Sequence, residues 1–254
     1  MIYLDNAATT KPCDEAKAAV MKGLEVFGNP SSLHRAGLDA ELLVSDAREA
    51  IADALGVTPD EVYFTSGATE SNNTAIFGAY KAHGKRKKRV VISSVEHPAV
   101  KNPAQELEDM GCEVIRISPD ENGEINARDI FAAVNEDTFL VSCMLVNNEN
   151  GYILPVEKAF SMIKKKYPQV LTHCDCVQGF MKIPVKAKKL NADMISLSGH
   201  KIYAPKGIGA LYVKKGVHIP PFMLGGGQEK GFRSGTESVP LICGFGAAVK
   251  KLAP

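Results

Sequence analysis

Residues 89–117 read RVVISSVEHPAVKNPAQELEDMGCEVIRI, and this stretch decides the fold class. It opens with a short run rich in valine and isoleucine, continues into a helix-like segment over 99–110, and closes with a second apolar run over 113–117. Two such strands joined by a helix form a βαβ unit, in which the strands lie parallel in one sheet. The stretch therefore predicts an α/β protein.

The same alternation continues on both sides of this unit. Short apolar runs predict strands over 61–65, 89–93, 113–117, 139–144, 170–175, 194–198 and 209–213. Helical spacing of apolar residues predicts helices over 41–55, 69–83, 99–110, 127–134 and 156–167. Strands rich in valine, isoleucine and leucine are typical of sheets covered on both faces. We therefore expect a three-layer αβα fold with a mainly parallel, mixed central sheet.

Composition narrows the functional classes. The 254 residues are 45% hydrophobic and carry a formal net charge of +1, which argues against a nucleic-acid-binding or membrane-binding surface. No apolar run is long enough to span a bilayer, and the first residues show no signal peptide, so we expect a cytoplasmic protein. The six cysteines are scattered, which favours free thiols over a disulfide framework.

The first polar motif, over 65–73, reads TSGATESNN and joins a predicted strand to a predicted helix. The free N–H groups and the dipole of a helix N-terminus attract anions, Gly67 permits a close turn, and Thr69 adds a hydroxyl. The alternative is an ordinary helix cap that binds no ligand. The motif also lacks the GxxxxGK[ST] pattern of a nucleotide-binding P-loop.

A second motif, HCD over 173–175, ends another apolar strand and is followed by Gln178. A carboxylate at Asp175 would lose its hydration and need a cationic partner, such as a protonated pyridine nitrogen. The alternative is an Asp that caps the next turn. A metal site built from His173, Cys174 and Cys176 fits poorly, because successive strand residues point to opposite faces.

Three further motifs follow predicted strands. Residues 198–201 read SGHK, and a lysine with a lowered pKa at Lys201 could form a Schiff base, although a lone lysine is usually a surface charge. Residues 96–98 read EHP, where an imidazole could stack on a flat ring or act as an acid or base. Residues 225–236 read GGGQEKGFRSGT, and the three glycines would let the backbone come close to a ligand or to another subunit. The alternative is a flexible surface loop.

Ligands of open α/β sheets bind beyond the carboxyl ends of the strands. Because all five motifs follow strands, we expect them to meet at one site that offers an anion cradle, a buried acid, a stacking ring and an amine.

These motifs together resemble the class V aminotransferase group of fold-type I pyridoxal-phosphate enzymes, and most closely the cysteine desulfurases. The similarity runs in order along the chain, through YLDNAATT over 3–10, GNPSS over 28–32 with His34, SGATESNN over 66–73, EHPAV over 96–100, VNNE over 146–149, SGHK over 198–201 and the 225–236 loop.

The resemblance implies pyridoxal 5'-phosphate as cofactor and gives each site residue a role. Lys201 would hold the cofactor and move protons, Asp175 would pair with the ring nitrogen, and His97 would stack on the ring. The remaining cofactor contacts implied are Asn148 and Gln178 on the oxygen side of the ring, and Ala68, Thr69, Ser198, His200 and, from a partner subunit, Thr236 at the phosphate.

The implied reaction converts L-cysteine to L-alanine and transfers sulfur to a protein persulfide, for iron–sulfur cluster assembly or tRNA thiolation. It also implies a homodimer and a sulfur-acceptor protein. The alternatives are another class V aminotransferase, a selenocysteine lyase, or a non-catalytic cofactor-binding fragment.

The resemblance also implies a domain division. Residues 1–13 would belong to a small domain and 14–254 to the large cofactor-binding domain, with the C-terminal small domain absent. That domain bears the persulfide-forming cysteine and the arginine that binds the substrate carboxylate, so we expect little or no turnover from this chain alone. Cys174, Cys176 and Asn150 depart from the family pattern, and the first two stand where small aliphatic or small polar residues are usual.

Overall fold

A seven-stranded sheet forms the centre of the computed structural model, which describes residues 2–253. The strands are β1 (Val62–Thr65), β2 (Arg89–Ser93), β3 (Glu113–Ile117), β4 (Thr138–Ser142), β5 (Leu171–Asp175), β6 (Met194–Ser198) and β7 (Gly209–Val213). The helices are α1 (Asp14–Glu25), α2 (Arg35–Leu55), α3 (Ala68–His83), α4 (Pro98–Asp109), α5 (Ala127–Ala132), α6 (Val156–Lys166), α7 (Ala187–Leu190) and α8 (Val239–Leu252).

The strand order is β1-β7-β6-β5-β4-β2-β3. Strands β2 to β6 pair in parallel, whereas β7 is antiparallel to both of its neighbours, β1 and β6. The predicted mainly parallel, mixed sheet is therefore confirmed. The carboxyl ends of all strands except β7 lie at the same edge, and the cavity described below opens there.

Alternate strand residues bury opposite faces of the sheet, as the period of two requires. Val90, Leu140 and Leu211 pack against α3 and α4, while their neighbours Val91, Val141 and Tyr212 pack against the helices of the other face. This second layer includes α2, α5, α6 and α8, with α1 packed on α8. Both faces are covered, which confirms the three-layer αβα prediction.

Helix α2 begins six residues earlier than the sequence predicted. The ring of His34 accepts a hydrogen bond from the N–H of Gly37, Nδ1 to N distance 3.3 Å, and so caps a helix start at Arg35. The helix ends at Gly56, whose φ of 69° is the left-handed conformation of a C-terminal stop. That end is as predicted.

No helix between residues 2 and 253 combines the length and the apolar character needed to cross a bilayer. Met1 and Pro254, the outer limits of the two predicted domains, lie outside the described residues. Residues 8–13 are bonded to the loop after β6: Thr10 N–H donates to the His200 carbonyl at 2.8 Å and Cys13 N–H to that of Tyr203 at 2.9 Å. The division into domains stays a prediction.

Candidate functional site

A cavity of about 670 Å³ lies at the edge of the sheet where the parallel strands end. Its walls come from the loops that follow β1, β2, β4, β5 and β6, and from the N-terminal segment around Asp5, Ala7 and Ala8. Nine of the ten predicted cofactor-binding residues line it: Ala68, Thr69, His97, Asn148, Asp175, Gln178, Ser198, His200 and Lys201. The expectation that these motifs share one site therefore agrees with the geometry.

The first turn of α3 faces the cavity with N–H groups that have no acceptor within the helix. The turn before it is fixed by the hydroxyl of Thr65, which lies 2.8 Å from Ser71 Oγ and donates to the Gly67 carbonyl at 3.1 Å. The turn also lies close to the start of β7, because a Cβ atom on Gly209 would lie 2.7 Å from Gly67 Cα. The turn is thus held rigidly as a cradle for an anion.

The carboxylate of Asp175 ends β5 and faces the cavity while it is almost fully buried. Its Oδ1 accepts from the N–H of Val177 at 3.0 Å, and its Oδ2 accepts from Asn72 Nδ2 at 2.8 Å. Burial raises the pKa of Asp175 above its usual value, and these two donors, with His97 and Lys201, offset part of the rise. A cation placed against this carboxylate would favour its charged form.

The Lys201 amine projects into the cavity from the turn after β6. Its Nζ donates to the carbonyls of Ala7 at 2.6 Å and Ala8 at 2.7 Å. Partial burial lowers the pKa of Lys201 below its usual 10.5, while Asp5 and Asp175 oppose the shift. The amine therefore reaches its neutral, nucleophilic form at a lower pH than an exposed lysine.

The neighbouring His200 is a neutral imidazole. Burial, together with the charges of Lys201, Lys206 and Lys182, lowers its pKa to about 4. Its Nδ1 lies 3.1 Å from the hydroxyl of Thr9.

Two further side chains that line the cavity are also oriented by hydrogen bonds. Gln178 Nε2 donates to the Ala7 carbonyl at 2.9 Å, and Gln178 Oε1 accepts from Lys182 Nζ at 2.7 Å. His97 caps α4, since its Nδ1 accepts from the N–H of Ala99 at 3.1 Å. A neutral His97 therefore carries its proton on Nε2.

Thr236 is the predicted site residue that does not line the cavity, and its side chain is exposed. The loop over 225–236 lies beside β1 and the start of α3, since Glu229 accepts a hydrogen bond from the N–H of Phe64 at 2.8 Å. Two ion pairs fix this loop. Arg48 binds Glu229 with a shortest distance of 2.7 Å, and Arg233 binds Glu70 at 2.8 Å. The residues that line the cavity include none from 225–236, and the role of Thr236 at the phosphate of a partner subunit stays a prediction.

Sequence reasoning missed several residues that line the cavity. Ala7 and Ala8 contribute backbone carbonyls, Asn72 holds Asp175, and Lys206 adds a second amine. Asn72 carried a signal, since it lies four residues after Ala68 and therefore on the same face of α3. None of the six cysteines lies among the lining residues, all of which belong to the described part of the chain.

Comparison with known proteins gives consistent matches along the chain. The family profile described as Aminotransferase class-V matches residues 2–253. A NifS/IcsS protein homolog of Lactobacillus delbrueckii subsp. bulgaricus is 46% identical over 99% of this chain and 66% of its own length. Cysteine desulfurase IscS of Dictyoglomus turgidum is 44% identical over 98% of this chain and 63% of its own length.

Solved structures agree with this result. A structure titled NifS-like protein has a TM-score of 0.96 and 42% identity over 99% of this chain and 69% of that one. A structure titled SspA in complex with cysteine has a TM-score of 0.94 and 39% identity over 98% of this chain and 72% of that one. This chain spans less than two thirds of the length of the curated relatives above. Because the family profile covers nearly every residue, the chain belongs to the aminotransferase class V family.

Proposed function

We propose that this chain binds pyridoxal 5'-phosphate through Lys201 and forms the cofactor-binding part of a cysteine desulfurase. The observation that carries the proposal is the meeting of Lys201, Asp175 and the first turn of α3 in one cavity. In the proposed reaction the sulfur atom of L-cysteine passes to a protein thiol, which becomes a persulfide, and L-alanine is left.

The residues present fit this cofactor. When bound, pyridoxal phosphate supplies an aldehyde that condenses with amines and a ring that takes up electrons. Asp175 would hold the proton of the ring nitrogen, since both of its oxygens now accept only from neutral donors. The first turn of α3, with Thr69, Ser198 and His200, would bind the phosphate, and the neutral amine of Lys201 would bind the aldehyde carbon.

Three other side chains would position the ring. His97 would stack on its face, and Gln178 and Asn148 would contact its oxygen side. Binding requires the Lys201 amine to leave the carbonyls of Ala7 and Ala8, to which it now donates.

The cysteine substrate is supported by the relatives. Proteins of 42–46% identity are named cysteine desulfurases or a NifS/IcsS homolog, and one similar structure is titled as a complex with cysteine. The second candidate is another reaction of the same family, by an aminotransferase or a selenocysteine lyase. A role in iron–sulfur cluster assembly or tRNA thiolation, with an acceptor protein, belongs to the proposal as well.

A homodimer is part of the proposal. Thr236 is exposed and lies outside its own cavity, on a loop held by two ion pairs, and this supports its use at the phosphate of a partner subunit.

The test is covalent capture of the cofactor. Pyridoxal phosphate is added to the purified chain, the visible absorption is recorded, and borohydride reduction is followed by peptide mapping by mass. We expect a single label on Lys201, lost in Lys201→Ala and retained in Lys206→Ala, a matched control because Lys206 lines the same cavity. Label spread over many surface lysines, or no new absorption band, would contradict the proposal.

Product analysis then separates the candidate reactions. The chain is incubated with pyridoxal phosphate and L-cysteine, L-selenocysteine or L-serine, and alanine and pyruvate are measured. Alanine formed from L-cysteine at the highest rate supports the desulfurase, whereas a preference for selenocysteine supports the lyase. Capture on Lys201 without turnover of any of the three supports the non-catalytic alternative and agrees with the weak turnover expected from the sequence.

A further inference from the structure

Glu96 is a buried carboxyl that the site described above does not use. It directly precedes His97, and only 1% of it is exposed. Its Oε1 accepts two hydrogen bonds, from the hydroxyl of Ser93 and from the N–H of Met144, the second at 2.7 Å. Its Oε2 is buried and has no hydrogen-bond partner among residues 2–253.

The surroundings of Glu96 favour its neutral form. Burial raises its pKa to about 8, and the hydrogen bonds from Ser93 and Met144 oppose the rise. The charged groups that face it are Asp175 at the end of β5, which raises its pKa, and Lys101 on α4, which lowers it. The remaining titratable neighbour is Cys143, just after β4, whose own thiol pKa is raised by burial and by Glu96. A pKa of about 8 favours the uncharged form of Glu96 at neutral pH.

Glu96 joins two loops that carry site residues. Residues 94–97 follow β2 and present His97, whereas residues 143–150 follow β4 and present Asn148. The Glu96–Met144 bond links them directly, and a second link runs from Asn147 Nδ2 to the Val95 carbonyl at 3.1 Å.

The loop after β4 is also held in shape by hydrogen bonds within it. Asn147 Oδ1 accepts from the N–H groups of Glu149 and Asn150 at 2.9 Å and 3.1 Å. The polypeptide around Asn148 is therefore fixed to the polypeptide before His97.

His97 lies directly after this link. Its side chain is exposed, so packing around the ring does not hold it. Its Nδ1 accepts a hydrogen bond from the N–H of Ala99, which fixes the orientation of the ring with Nε2 pointing away from the helix. The position of the ring relative to the cavity then depends on the backbone of His97. The backbone just before His97 is held to the β4 loop at Glu96 by Met144 and at Val95 by Asn147.

We propose that Glu96 is a positioning residue of the cofactor site, which acts through His97 by holding the β2 loop against the β4 loop through the hydrogen bonds that its carboxyl accepts from Ser93 and Met144. The inference rests on the proposed function, because it gives His97 its task at the cofactor ring. An uncharged acid suits the place, since one oxygen must accept from both Ser93 and Met144 where no cation pairs with it. An apolar side chain would leave both donors buried and unpaired.

The test compares the full-length variants Glu96→Gln, Glu96→Ala, His97→Ala and the double variant Glu96→Ala/His97→Ala. Affinity for pyridoxal phosphate is measured by titration, and the placement of the ring by the visible circular dichroism of the bound cofactor. We expect Glu96→Gln, which keeps an uncharged acceptor, to behave as the unchanged chain. We expect Glu96→Ala to weaken binding by about tenfold, the effect of losing one to two hydrogen bonds.

A double-mutant cycle separates positioning from general stability. If Glu96 acts through His97, the double variant binds no more weakly than His97→Ala, and its circular dichroism is the same. The proposal is overturned if the two effects add, or if Glu96→Ala lowers the urea midpoint while cofactor affinity and circular dichroism stay unchanged. Ser93→Ala removes one of the two donors and is expected to act in the same direction, which keeps the test open if Glu96→Ala does not fold.

A cofactor-free readout distinguishes this inference from the proposed function. The ring signal of His97 in a ¹H–¹³C NMR spectrum, identified by its loss in His97→Ala, is expected to shift in Glu96→Ala and to stay in place in Glu96→Gln. A chain that fails to bind pyridoxal phosphate would contradict the proposed function, whatever this signal does. An unshifted signal in Glu96→Ala would contradict the positioning role even when the cofactor binds.

Discussion

Acidification should destabilise this protein through one buried imidazole, His173 on β5. The ring lies between two hydroxyls, with Nδ1 at 2.8 Å from Ser142 Oγ on β4 and Nε2 at 2.9 Å from Ser196 Oγ on β6. It is fully buried, and burial lowers its pKa from 6.5 to about 3. The folded protein therefore keeps this histidine neutral across most of the acid range.

The sign of the effect follows from the proton balance between the two states. In the unfolded chain His173 takes up a proton as the pH falls through about 6.5, whereas the folded chain does so only near 3. Because the unfolded state binds more protons over that window, stability is lost as the pH falls from about 7 towards 3. Between pH 7.5 and pH 5 the loss from this one group comes to about 2 kcal/mol.

The assay is urea unfolding followed by far-ultraviolet circular dichroism at pH 7.5, 6 and 5. His173→Gln is expected to be less stable at pH 7.5 because it loses a hydrogen bond to one of the serines. It should nevertheless lose about 2 kcal/mol less than the unchanged chain on acidification, since glutamine takes up no proton. The matched control is His218→Gln, whose ring is exposed to solvent, and we expect its pH dependence to follow the unchanged chain. Equal pH dependence in the unchanged chain and in His173→Gln would refute the reasoning.

Two further predictions concern the ion pair that fixes the glycine-rich loop and the amine of the site. Arg48→Ala should lower the free energy of unfolding by roughly 3–5 kcal/mol, because it leaves Glu229, whose side chain is 2% exposed, buried without its cation. Lys250→Ala breaks a solvent-exposed pair and should change the urea midpoint little, so equal losses in the two variants would contradict the assignment. The rate at which Lys201 captures pyridoxal phosphate should rise with pH, since its amine must be neutral to react. The midpoint of this pH dependence should lie below 10.5, because burial lowers the pKa of Lys201. Stopped-flow absorption measures this rate, and a midpoint at or above 10.5 would show that burial does not lower the pKa.

The seven strands were predictable because their signal is local. Each is a short run that contains valine, isoleucine, leucine or phenylalanine, and in β4, β5, β6 and β7 every residue is buried, as expected for strands covered on both faces. Helix α8 was missed for the opposite reason. Gly244 and Gly246 interrupt its helical pattern, and Gly246 is required by a neighbour, since a Cβ there would lie 2.6 Å from Ala47 Cβ. That requirement lies in tertiary packing and cannot be read from the helix itself.

The residues of the candidate site also differ in whether the sequence alone could place them. Lys201, Asp175 and His97 could be brought together from sequence, because parallel strands end at one edge of a sheet. The position of Thr236 could not, since the long segment between β7 and Thr236 is placed by tertiary contacts such as the Arg48–Glu229 and Arg233–Glu70 ion pairs. The part played by Ala7 and Ala8 was also hidden, because they act through backbone carbonyls that every residue has.

The pairing of β1 with β7 has a consequence for the order in which the protein is made. Val62 of β1 lies opposite Tyr212 of β7, so β1 can pair only after the ribosome has made about 150 further residues. Translation proceeds at roughly 5–20 residues per second, and this interval therefore lasts about 8–30 seconds. During that time the edge strand β1 is unpaired in the nascent chain and open to misassembly. The turn that leads from β1 into α3 therefore reaches its final packing only after β7 has been made, however early the residues of the turn itself are synthesised.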